Sequence, residues 1–164
     1  MSTILVAIDD PSRTSTVLDV ALTRAARTDA TLVVANIVPP SEYETRRGSV
    51  ARSGDLRREG LGYTYTQACT EAKAAGERAI GRVLGDREIP IEVVGDVGPL
   101  LPTALELADQ YDCSTVLVEE TPQRLRDRLG LTRWLAGSRF GGVIEQVPAT
   151  LRSPSVGAGS SVEA

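Results

Sequence analysis

Asp9 and Asp10 follow directly on the apolar run ILVAI, and a proline and a cluster of hydroxyls, Pro11-Ser12-Arg13-Thr14-Ser15, comes next. A carboxylate at the end of a buried strand can hold a metal ion, accept a phosphoryl group, bind a ribose or cap the following helix. Few other groups in the chain could share such chemistry. It contains no histidine, which removes Ser-His-Asp and Cys-His catalysis and all histidine metal sites. Lys73 is the only lysine among the 18 basic residues; the rest are arginine. Cys69 and Cys113 do not make a disulfide framework and are expected to pack as small apolar residues in a reduced cytoplasm. A metabolic enzyme has little support from this inventory.

The elements that must position these residues follow from hydrophobic patterning. TILVAI (3–8) is a continuous aliphatic run, as in a strand covered on both faces. From Ser15 to Thr28, Leu18, Ala21, Leu22, Ala25 and Ala26 recur at helical spacing. ATLVVANIV (30–38) is a second buried strand, stopped by Pro39-Pro40, and residues 61–85 form a long alanine-rich helix. IPIEVV (89–94) is a third strand, which Pro90 assigns to a sheet edge. PLLPTALELADQY (99–111) is a helix with Pro99 and Pro102 in its first turn, and STVLVEE (114–120) a fourth strand. Strands alternating with helices predict one α/β domain: an open, mostly parallel sheet with helices on both faces.

Residues 39–60 hold five arginines, four acids and almost no large apolar residues, and are expected to form a mobile surface excursion or a partner-binding arm. The tail 153–164, SPSVGAGSSVEA, is small and polar and expected to be flexible. A net charge of −4 argues against general nucleic-acid binding. No apolar stretch approaches the roughly 20 residues that span a bilayer, and no basic leader precedes the first apolar run, so a cytoplasmic protein is expected.

In an open parallel sheet ligands sit beyond the carboxyl ends of the strands, where Asp9 and Asp10 fall. A phosphoacceptor domain with an acidic pair after its first strand also needs an acceptor aspartate after a middle strand and a lysine after a late one. Lys73 falls in a mid-chain helix and Asp55 has no strand before it, so that chemistry is not provided. For Asp9, helix capping or ribose binding is favoured over a metal; Asp10 suits a solvated turn before Pro11.

ILVAIDDPSRTSTVLDVALTRAARTDATLVVANIVPP resembles the opening of the universal stress protein family, in which a strand ends in an aspartate usually followed by Gly-Ser. VVGDVGPLLPTALELADQYDCSTVLV resembles that family's third strand, turn, helix and fourth strand, and AGSRFGGVIEQVPATL its Gly-Ser turn, last helix and final strand. The resemblance covers 3–152, apart from the 39–60 excursion. It implies a five-stranded, Rossmann-like domain, commonly a homodimer joined through its last strand, here PATLR (148–152). Some members bind ATP and others do not. In binders the aspartate matching Asp9 contacts the adenosine, backbone near Ile37 holds the adenine, and a G-x2-G-x9-G-[S/T] pattern cradles the phosphates.

Gly137-Ser138 matches the closing pair of that pattern, with a helix N-cap as the plainer role. Counting back puts the other glycines at Arg124 and Asp127, and counting forward from the fourth strand at Glu119 and Pro122; no glycine occupies any of the four. Arg124, Arg126, Arg128, Arg133 and Arg139 could hold phosphate, but Leu125, Leu129, Leu131, Trp134 and Leu135 also make this an amphipathic helix with a solvated face. The expectation is a non-enzymatic, homodimeric stress-response module with weak or no ATP binding and no cofactor, acting through protein contacts. The alternative is an ATP or AMP binder, with magnesium and at most slow hydrolysis, using Asp9, Ile37, Gly137 and Ser138.

Overall fold

The computed structural model describes residues 2–52, 63–120 and 140–148. The chain runs β1 (Thr3–Ile8), α1 (Ser15–Thr28), β2 (Thr31–Val38), α2 (Pro40–Arg52), α3 (Tyr65–Leu84), β3 (Ile91–Val97), α4 (Leu100–Gln110), β4 (Thr115–Glu120) and β5 (Val143–Pro148). The five strands form one sheet in the order β3-β2-β1-β4-β5, every neighbouring pair parallel. β1 is central and β3 lies at an edge, as the aliphatic run and Pro90 predict. Pro90 precedes the strand and its carbonyl accepts from Leu32 N at 2.9 Å, so the missing N–H is not needed.

Side-chain alternation along the strands divides the core in two. Ile4, Val6 and Ile8 point to one face, with Leu32 and Val34, and pack under α1 and α3 through Leu18, Leu22, Ala79 and Ile80. Leu5, Ala7, Val33, Ala35 and Ile37 point to the other face and pack under α4 through Ala104, Leu105 and Ala108. Helices on both faces explain why β1 and β2 read as unbroken apolar runs. Cys113 is buried in the second cluster and Cys69 is half-buried; both are free thiols. Burial pushes the Cys113 thiol up to about 11, with Asp112 adding to the shift, so it packs as an apolar group.

Two expectations are corrected. Within the segment read as a mobile excursion, Pro40–Arg52 are helical. Pro40 fits a first helical position, and Arg46–Glu42 and Arg47–Glu44 pair along the helix at 3.1 and 3.9 Å. Charge pairs supply what an apolar face does not, so hydrophobic periodicity has nothing to detect. The final strand is Val143–Pro148, in the residues assigned to a last helix, not 148–152. It pairs with β4 from Thr115↔Val143 to Glu120↔Pro148, and this pairing overrides a short, mixed pattern that looks helical. Residues 149–152, the tail 153–164, and Gly137, Ser138 and the five arginines of 124–139 lie outside the described residues.

Candidate functional site

The sheet reverses its strand order between β1 and β4, and Asp9 is the first residue beyond β1 at that point. The β1–β2 register ends at Ile8↔Asn36, so its continuation sets Asp9 beside Ile37. Ile37 itself is fully buried, and its side chain points to the α4 face. Asp10 is a turn residue: Oδ1 accepts from Ser12 N at 3.1 Å and from the Ser12 hydroxyl, and its carbonyl accepts from Arg13 N. The N-cap position of α1 belongs to Thr14, further along the chain than Asp9.

Asp9 lines a cleft of about 60 Å³ on the α3 face of the sheet. Its floor is Asn36 and Val38 of β2, and one wall is Glu71, Ala72 and Ala75 of α3. The other wall is Glu42 and Arg46 of α2. Arg46 closes the mouth, pairing with Glu42 at 3.1 Å and Glu71 at 3.4 Å. The Tyr63 hydroxyl donates to Glu71 at 2.9 Å, and the Tyr63 ring lies 5.8 Å from that of Tyr43. Burial pushes the Tyr63 hydroxyl up from its ordinary value, Arg46 opposing and Glu71 reinforcing the shift, so it stays a donor. Arg46 and Glu71 are about half exposed, so each pairing contributes about 0.2–1 kcal/mol. The closure is weak.

Asn36 is the polar residue under this cleft, 3% exposed. Its Nδ2 donates to the Ala72 carbonyl at 2.9 Å, and its Oδ1 has no hydrogen-bond partner. A glycine makes this contact possible. Gly95 of β3 is in register with Asn36, and a Cβ there would lie 2.0 Å from the Cys69 carbonyl of α3. Sequence reasoning missed Asn36, Glu42, Arg46 and Glu71. The one signal available was an amide inside the buried run TLVVANIV.

A nucleotide does not fit the described cleft, since small-molecule pockets run to roughly 300–1,000 Å³ against about 60 Å³ here. Among the described residues no group of three or more acidic or cysteine side chains could hold a metal ion. Also among these residues, no helix is long and apolar enough to cross a membrane.

An open, all-parallel sheet with helices on both faces and a cleft beyond its strand ends defines an α/β protein of the nucleotide-binding-like class. Within it, the universal stress protein family model matches residues 1–151, and the chain belongs to that family. Solved structures share the fold. A universal stress protein in complex with cAMP is 20% identical, with a TM-score of 0.50 over 91% of this chain and 98% of that one. Hypothetical protein MJ0577 is 13% identical, with a TM-score of 0.52 over 90% and 96%. A protein of the family from Burkholderia pseudomallei is 22% identical, with a TM-score of 0.47 over 90% and 96%. No curated protein matches the chain.

Proposed function

We propose that this protein is a non-enzymatic regulatory module of the stress response, acting as a homodimer and binding ATP weakly or not at all. The carrying observation is the cleft beside Asp9, which α2 narrows to about 60 Å³ and Arg46 ties shut against Glu42 and Glu71. The glycine-free positions 119, 122, 124 and 127 support the same reading, because a side chain there keeps backbone amides from phosphate. The dimer is supported by β5, an edge strand with Val143 62% exposed, of the kind that proteins cover by pairing.

The second reading is an adenine-nucleotide binder. It is favoured by Asp9 at the strand-order reversal and by the fold neighbour in complex with cAMP. One titration separates the two. A ligand at a hundred times its dissociation constant stabilises a fold by about 2.7 kcal/mol, a visible melting shift. Millimolar ATP with magnesium should give little shift, and light scattering at micromolar protein should give a dimer mass. A large shift with ATP that adenosine does not reproduce would show a working phosphate site and refute the first reading. A monomer mass would remove the dimer.

A further inference from the structure

We propose that the cleft beside Asn36 is a binding site for a primary ammonium group, the head of a small protonated amine. The Ala72 carbonyl can only accept, so the Asn36 atom facing it at 2.9 Å is the nitrogen, and this fixes Oδ1 as the free end of the amide. That oxygen is buried, in a residue 3% exposed, and no donor reaches it. A buried acceptor without a donor is unfavourable, and a ligand that supplies an N–H removes the penalty.

The rest of the lining asks for the same chemistry. Asp9, Glu42 and Glu71 bring three carboxylates against one cation, Arg46, whose guanidinium is already bound to Glu42 and Glu71. Acceptors and negative charge therefore outnumber donors. The space of about 60 Å³ suits an ammonium with one or two carbons, not a purine. An adenine base is also a poor match chemically, because the paired asparagine–adenine contact needs Nδ2 as well as Oδ1, and Nδ2 is committed to Ala72. An ammonium brings three N–H donors and no acceptor. The site stands apart from the question of ATP binding, since it uses no residue of the 119–138 segment.

The test is the melting temperature of the full chain at constant ionic strength, with millimolar ethylammonium, Nα-acetyl-lysinamide, tetramethylammonium or sodium chloride. A rise with ethylammonium and with the lysine derivative, absent with the other two, is expected for a free ammonium head. A rise with the lysine derivative alone would assign the head to a lysine side chain of another protein. Glu71→Gln, on the exposed side of the cleft, should weaken either response about tenfold, as loss of one charge-assisted contact does, without moving the ligand-free melting temperature. Asn36→Ala should abolish the response if it folds. Equal shifts with tetramethylammonium or sodium would reduce the effect to charge screening and overturn the proposal. No shift with any amine would overturn it too, leaving Oδ1 to be met by water.

Discussion

Gly95→Ala tests the contact on which the cleft depends. In β3, Gly95 lies in register with Asn36, and α3 crosses directly above it. An added Cβ would stand 2.0 Å from the Cys69 carbonyl, 2.4 Å from the Lys73 nitrogen and 3.0 Å from the Ala72 Cβ. The first two neighbours are helix backbone, so no rotamer change relieves them. Ordinary contact begins at 3.4 Å, and α3 must back away as a body to reach it. That movement loosens Ala68, Ala72 and Gly76 from the sheet and pulls the Ala72 carbonyl off Asn36. Overpacking with a backbone shift costs about 3 kcal/mol, the upper end of its usual range. At about 2–4 °C per kcal/mol for a chain of this size, the melting temperature should fall by about 6–12 °C. Gly81→Ala is the control: it lies in the same helix with nothing within 4 Å of its Cβ. Helix propensity alone should make that variant more stable by about 0.5–1 kcal/mol. Urea and thermal unfolding followed by circular dichroism measure both. A Gly95→Ala variant within about 0.5 kcal/mol of wild type would refute the close approach of α3 to β3, and with it the geometry of the cleft.

Two further outcomes are expected. Thr64 caps α3 by accepting from Gln67 N at 3.1 Å while the Gln67 side chain accepts from Thr64 N, so Thr64→Ala should cost about 1 kcal/mol in urea unfolding. Arg24 of α1 grips Glu145 of β5 with both nitrogens and holds its carboxyl below the ordinary 4.5. A carboxyl depressed in the folded state stabilises above its unfolded value and loses that contribution as pH falls through the folded one. With side chains 34% and 42% exposed the pair contributes about 1 kcal/mol or less. Glu145→Gln should therefore melt slightly below wild type at neutral pH, and the two melting curves should converge as pH drops below 4.5. A gap that persists at low pH would remove the ion pair as its cause.

The residues alone determine the parallel α/β frame. β1, β2 and β4 are aliphatic runs that only a sheet covered on both faces can bury, and α1, α3 and α4 carry their apolar residues at helical spacing. Asp9 is legible as a strand-end carboxylate for the same reason: the run stops and a turn begins. Tertiary structure decides what periodicity does not encode. α2 is held by pairs such as Arg46–Glu42 and Arg46–Glu71 rather than by an apolar stripe, so its sequence reads as an excursion. β5 is half-exposed and becomes a strand through its pairing with β4, against a local pattern that suggests helix. Gly95 gains its meaning only from the helix lying against it. The cleft depends on tertiary structure most of all. Residues 9, 36, 42, 46 and 71 share no spacing along the chain and meet because β1 and β2 end side by side while α2 and α3 fold back over them.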